Sequence, residues 1–208
     1  MIRFGIVGAG GIAQKFARDC KFADNAIVTA IASRSLEKAN KFKNEFGIEF
    51  AFASYEEMAK SDTIDAVYIA TPHNFHMDQS ILFMSNKKHV LCEKPIAVNV
   101  EQFEKMVVSS KENKVLLMEA MWTRFLPATL KIREVVQSKT LGKLKHAALE
   151  FGFAFMDRSE EEGRLFDPNL AGGSLLDVGI YPFAFTLNIT DKAIKSLRAT
   201  AKFHTSGD

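Results

Sequence analysis

The chain has 208 residues, 47% of them hydrophobic and 25% charged, with a formal net charge of +2. This is the balance of an ordinary soluble globular protein, long enough for one large domain or for one domain and part of another. The basic residues are scattered, and no run of them could track a phosphate backbone, so nucleic acid is not an expected partner.

The two cysteines, Cys20 and Cys92, fit no metal-ligand spacing and no disulfide framework, which points to a reducing cytoplasm. The N-terminus lacks a signal-peptide layout, because a glycine-rich turn interrupts its apolar stretch at once. No apolar run reads as long enough to span a bilayer, so no membrane partner is expected. The acidic run Glu160 to Glu162 reads as a solvated loop.

Short apolar runs alternate with helical stretches through the first 120 or so residues. Strands are predicted at 2–7, 26–32, 49–53, 66–70, 89–93 and 115–119. Helices are predicted at 12–20, 35–46, 55–60, 76–86 and 99–113. Strands this apolar, separated by helices, imply a parallel sheet covered on both faces. Right-handed crossovers make it a doubly wound α/β sheet of Rossmann type, whose ligand lies outside the carboxyl ends of the strands.

The pattern changes after residue 122. Residues 124–138 and 174–189 read as helices, and 145–155 and 193–203 as longer strands. These open an α+β domain at 123–208. Two strands make a poor sheet, so this domain is expected to be incomplete.

Five stretches carry chemistry. In GIVGAGGIA (5–13), Gly8, Gly10 and Ala13 fit G-x-G-x-x-[GA] between a strand and a helix. Gly8 permits the tight turn, Gly10 lets backbone approach a pyrophosphate, and Ala13 lets helix and strand pack closely. Gly11 and Ile12 complete the turn, and the helix start offers free N–H groups and a partial positive charge. A glycine-rich turn without a ligand is the plainer alternative.

At the end of the second strand, where an NAD site usually has an acid, stand Ser33 and Arg34. The planar fork of Arg34 can pair with a 2′-phosphate, which favours NADP over NAD. The alternative is that Ser33 caps the next helix and Arg34 is merely solvated. In ATPHNFH (70–76), Thr71-Pro72 turns the chain out of the sheet at its carboxyl end. His73 and His76 lack a third ligand nearby, so no metal is expected. In CEKP (92–95), Pro95 fixes a turn that aims Glu93 and Lys94 at the same edge, where a lysine can stabilise negative charge on a reacting oxygen. In AGGSLLDVGIYPF (171–183), Asp177 and Tyr181 share a helix face by their spacing of four. Ser174-x-x-Asp177 also reads as a weak capping box.

Taken in this order, the glycine turn, ATPHNFH, CEKP and GGSLLDVGIY resemble the Gfo/Idh/MocA oxidoreductases. MEAMWTRFLP (118–127) and the tyrosine at 181 narrow the resemblance to the branch containing dimeric dihydrodiol dehydrogenase and glucose-fructose oxidoreductase. The resemblance implies a Rossmann domain over residues 1–122, followed by an α+β domain with a large, mostly antiparallel sheet that builds a homo-oligomer interface. It implies cofactor contacts at Gly8, Gly10, Ala13, Ser33, Arg34, Thr71, Pro72, Asn74, His76, Glu93 and Lys94, with Trp122 and Arg124 near the cofactor. It places substrate residues at Asp177 and Tyr181.

The reading that results is an NADP-dependent dehydrogenase that moves a hydride from a hydroxyl-bearing carbon of a sugar, polyol or cyclic diol to nicotinamide. Tyr181 takes the hydroxyl proton, Lys94 assists by favouring the phenolate, and Asp177 orients the substrate or Lys94. The rivals are a non-catalytic NAD(P)-binding sensor and an inactive fragment of such an enzyme.

Overall fold

The computed structural model describes residues 1–152, 165–190 and 192–203. The chain divides into two compact units, Met1–Ala120 and Met121–Asp208.

The first unit alternates strands and helices. The strands are β1 (Ile2–Val7), β2 (Ala26–Ala32), β3 (Phe50–Phe52), β4 (Ala66–Ile69), β5 (His89–Cys92) and β6 (Leu117–Glu119). The helices are α1 (Gly11–Asp19), α2 (Leu36–Phe46), α3 (Tyr55–Lys60), α4 (His76–Ser85) and α5 (Val100–Asn113). All strands pair in parallel, in the order β3-β2-β1-β4-β5-β6. The order reverses between β1 and β4, which is the switch point where such sheets bind ligands.

Both sheet faces are buried. Val7, Ala32, Val67, Ile69 and Cys92 pack with Met58, Phe83, Met84 and Met106 on the side of α3, α4 and α5. Their neighbours Ile6, Ile31 and Tyr68 point the other way, to Ala13 and Ala17 of α1 and Phe42 and Phe46 of α2. This alternation explains why the strand sequences are apolar throughout.

Caps set the helix limits. Ser35, Ser54 and Asn99 each accept the backbone N–H three residues on, at 3.3, 3.3 and 2.9 Å. Gly47 closes α2 in the left-handed conformation at φ +70°. The cap of α2 is therefore Ser35, and Ser33 is not its cap.

In the second unit, α6 spans Pro127–Ser138, with its proline in the first turn. A 3-10 turn at Trp122–Phe125 precedes it, so the helix expected from 124 starts three residues later. A π-helical turn at Leu175–Gly179 runs into α7 (Ile180–Thr190). Ser174 is helical and makes no capping bond, which sets aside the capping-box alternative. Residues 145–152 and 193–203 form no strand. A β-pattern becomes a strand only when its N–H and C=O groups find a neighbouring ladder, and these segments have none among the described residues. The rest of the first segment, 153–155, and the acidic run Glu160 to Glu162 lie outside the described residues.

One expectation is corrected. Pro168–Thr190 is 23 residues long with a mean hydropathy of 1.3 in its most apolar window, which is long and apolar enough to cross a bilayer by length and composition. Glycines at 172 and 173 and the carboxyl of Asp177 interrupt the run, and a carboxyl near a bilayer centre costs roughly 2.5–3.5 kcal/mol. Large apolar side chains of this unit also stand on the surface, with Phe125, Phe151 and Leu175 each more than half exposed.

At the amino edge of the sheet, Arg3 ties β1 to Asp65, just before β4. Its Nε donates to Oδ2 at 3.1 Å and its Nη2 to Oδ1 at 2.5 Å. These bonds hold the Asp65 carboxyl down at about 2. The stabilisation is therefore complete above the ordinary aspartate range and disappears as pH falls through about 2. Asp65→Asn should flatten the acid limb of the stability curve between about 4 and about 2, measured by urea unfolding at each pH and weakened by salt because the pair is partly exposed. An unchanged acid limb in the variant would refute this linkage. The exposed apolar side chains of the second unit give a separate expectation. The chain should bind a hydrophobic dye and self-associate, and a dye-silent monomer in light scattering would contradict it.

Candidate active site

The carboxyl ends of the strands form one continuous edge because the hydrogen-bond ladder runs on past them. Gly8 N–H donates to Ala32 O at 3.0 Å, Ala70 N–H to Val7 O at 2.9 Å, Glu93 N–H to Ile69 O at 3.0 Å, and Ala120 N–H to Cys92 O at 2.7 Å. The glycine turn, the Thr71 loop and the Glu93-Lys94 turn are therefore fixed side by side.

Gly8 has φ +94°, and a Cβ there would stand 3.0 Å from Ala70 O. Glycine is required both by the backbone angle and by the close approach of β4. Over Gly10 and Gly11 the situation is opposite: a Cβ would meet nothing within 4 Å. Gly10 caps α1 without any side-chain bond, and no acid lies in the first turn. Gln14 N–H, on Gly10 O at 3.1 Å, is the first intrahelical donor, so the N–H groups of Gly11, Ile12 and Ala13 precede it and have no intrahelical acceptor. Ala13 itself is fully buried against Ile6 and Ile31. Uncapped donors, the positive end of a helix and room above bare backbone together fit a pyrophosphate.

Ser33 is buried; its N–H extends the ladder to Phe52 O at 3.2 Å and its Oγ accepts the Ser35 N–H at 3.4 Å. Arg34 is exposed and joins no ion pair among the described residues. Its guanidinium can meet a phosphate. Tyr55, absent from the sequence reading, lies near enough to feel this charge: burial pushes its hydroxyl up, and Arg34 opposes the shift.

Thr71 Oγ1 donates to Gln79 Oε1 at 2.6 Å, which holds the loop to α4. Pro72 and Asn74 stand partly exposed on this loop. His76, expected as a loop contact for a cofactor, has a fully buried ring instead. Its nitrogens lie 2.9 Å from Pro95 O and 2.9 Å from Thr71 O. The ring supports the two loops from beneath and presents no face to a ligand. His73 is also buried, and the described residues contain no metal-binding cluster.

The Lys94–Pro95 peptide is cis, and Lys94 is half-buried. Glu93 accepts the Tyr68 hydroxyl on Oε1 and the Lys94 N–H on Oε2 at 3.1 Å. Burial pushes its carboxyl up, and these two bonds and the Lys94 charge oppose the shift. Glu119 of β6 accepts the Ile96 N–H at 3.0 Å and pins the far side of the turn. Cys92 below is buried, and its thiol is pushed up by that burial, so it is not a nucleophile. The sequence reading missed Tyr68, which sits in a buried apolar strand and looks like core. The available signal was its hydroxyl, since a buried tyrosine oxygen needs a partner.

In the second unit, Trp122 Nε1 donates to the Tyr181 hydroxyl at 3.2 Å. The ring centroids of Trp122 and Phe151 lie 6.4 and 5.2 Å from that of Tyr181, both edge-on. Asp177 sits in the π-helical turn and Tyr181 in the first turn of α7. Their relation therefore spans a change of helical pitch and is not a plain α-helical spacing. Arg124 is exposed in the 3-10 turn.

Residues 2–121 match a family described as an oxidoreductase family with an NAD-binding Rossmann fold, and residues 129–208 match the GFO/IDH/MocA C-terminal domain. Trans-1,2-dihydrobenzene-1,2-diol dehydrogenase of Danio rerio is 38% identical over 190 residues, covering 90% of this chain and 56% of that protein. The scyllo-inositol 2-dehydrogenase (NADP(+)) IolU of Bacillus subtilis is 39% identical over 187 residues, with 87% and 56% covered. Among solved structures, KijD10, a 3-ketoreductase from Actinomadura kijaniata in complex with NADP and TDP-benzene, superposes with a TM-score of 0.81 at 28% identity, covering 89% of this chain and 56% of that one. The chain thus spans between half and two thirds of the length of such relatives. Sheet order, glycine turn and both domain matches agree: the chain belongs to the Gfo/Idh/MocA oxidoreductase family.

Proposed function

We propose that the chain is the cofactor-binding and proton-transfer part of an NADP-dependent dehydrogenase acting on a CH–OH group of a sugar, polyol or cyclic diol. The observation that carries this reading is the open space above Gly10 and Gly11 at an uncapped helix start, on the same strand edge as the Lys94 turn. The relatives support the substrate class: two are named for a benzene dihydrodiol and for scyllo-inositol, and the third is named as a 3-ketoreductase. The inositol enzyme is named for NADP.

Bound NADP supplies the hydride acceptor at its nicotinamide. The N–H groups of Gly11, Ile12 and Ala13 bind the pyrophosphate, and Arg34 grips the 2′-phosphate with Ser33 beside it. Thr71, Pro72, Asn74, Glu93 and Lys94 would hold the dinucleotide, and Trp122 and Arg124 are further candidate contacts to it. Lys94 would stabilise the negative charge that develops on the substrate oxygen. Tyr181, as its phenolate, would accept the hydroxyl proton and become the neutral phenol, with the Trp122 N–H donated to the same oxygen, and Asp177 would orient the substrate. A nucleotide sensor needs neither Lys94 nor Tyr181. Solved variants of the ketoreductase carry a tyrosine-to-phenylalanine and a lysine-to-alanine replacement, residue types that match this pair.

Cofactor choice is tested by Arg34→Ala, which should weaken NADP about tenfold to a hundredfold while NAD binding changes little. Equal losses for both cofactors would remove the 2′-phosphate assignment. The proton path is tested with a panel of sugars and diols, followed by absorbance of the reduced cofactor. Lys94→Met and Tyr181→Phe should each lower turnover by a factor on the order of a hundred, with the NADP dissociation constant nearly unchanged. Normal turnover in Tyr181→Phe would reject the mechanism, and NADP binding without turnover of any panel member would favour the sensor.

A further inference from the structure

Tyr68 is 2% exposed on β4 and makes two connections at once. Its ring stacks on Phe16 of α1, with centroids 4.0 Å apart and planes 18° from parallel. Its hydroxyl donates to Glu93, whose second oxygen takes the Lys94 N–H. Phe16 belongs to the helix whose start carries the uncapped N–H groups. Glu93 opens the turn that carries Lys94. Packing in a parallel strand asks only for an apolar ring at this position, and phenylalanine would supply it. The hydroxyl is extra, and it reaches a carboxylate at the strand edge, where no fold requirement places one.

We propose that Tyr68 is a positioning residue of the cofactor site, coupling the phosphate-binding helix to the Glu93-Lys94 turn so that the two ends of one dinucleotide are held in register. This rests on the functional reading above, with phosphates on α1 and nicotinamide beside Lys94. The stack transmits the placement of α1 to Tyr68, and the hydrogen bond passes it to the turn. Glu93 is the sensitive joint. Burial acts first on its carboxyl and favours the proton, the Tyr68 hydroxyl and the Lys94 N–H and charge favour ionisation, and Glu119 favours the proton again. Removing the Tyr68 hydroxyl deletes the largest influence on the ionised side. Glu93 then takes up its proton at higher pH, its charge-assisted hold on the Lys94 N–H weakens, and the turn loosens.

The test uses the whole chain with Tyr68→Phe, which keeps the stack, Phe16→Leu, which removes it, and the double variant. Carboxyl-carbon NMR, with Glu93 assigned through Glu93→Gln, reads the Glu93 titration without cofactor. Calorimetry reads NADP affinity from acid to neutral pH. Tyr68→Phe should move the Glu93 midpoint upward and weaken NADP roughly threefold to tenfold, with the loss beginning at higher pH than in the parent. The double variant should lose less than the product of the single losses, because both cut the same link. An unmoved Glu93 midpoint, or losses that multiply, overturns the proposal while leaving the cofactor reading intact. Failure of the parent chain to bind NADP overturns both. If Tyr68→Phe does not fold, Glu93→Gln paired with Phe16→Leu carries the same cycle, with the same less-than-multiplicative loss expected and multiplication overturning it.

Discussion

Parallel strands all present their carboxyl ends on one edge, and in this chain the ladder does not stop where the strands do. The bonds from Gly8 to Ala32, Ala70 to Val7, Glu93 to Ile69 and Ala120 to Cys92 carry the sheet's spacing into the loops. Neighbouring strands lie about 4.8 Å apart, so each loop stands one strand from the next. Loops assembled this way are placed by main-chain hydrogen bonds. The other loop features follow from it. Gly8 must be glycine because β4 approaches so closely there, and His76 can be buried because two adjacent loops offer it carbonyl oxygens.

The edge is also polarised. At its β1 end the uncapped start of α1 offers N–H donors and partial positive charge. At the β5 end a half-buried carboxylate and a lysine share one turn. The helix-start N–H donors and the Glu93-Lys94 pair are thus separated along one strand edge. Supports for that edge come from below it, where Tyr68, His76 and Glu119 each hold a loop residue from a different element. Beneath them the two apolar clusters fix the sheet itself, so loop geometry inherits the rigidity of a close-packed core.

The second unit follows another logic. Trp122 and Phe151 approach Tyr181 edge-on, and the indole N–H meets its oxygen. The π-helical turn before α7 changes the pitch between Asp177 and Tyr181 and comes just before a proline in the first turn of that helix, where the missing N–H is tolerated. Its apolar side chains are largely exposed, in contrast to the covered sheet of the first unit.

Local chemistry alone determined much of this protein. The residue pattern set β1, β2 and α3 at their observed limits, and the Gly8–Ala13 stretch marked the glycine turn between β1 and α1. Each of these depends on residues adjacent in the chain, which is why it can be read there. Tertiary structure decided the rest. It turned His76 inward, gave the Tyr68 hydroxyl to Glu93, put Tyr55 beside Arg34, and withheld strands from 145–152 and 193–203. These outcomes depend on partners 19, 25 or more residues away. A polar atom's role is fixed by the partner that satisfies it, and a strand's by the ladder beside it; neither partner is visible until the chain has folded.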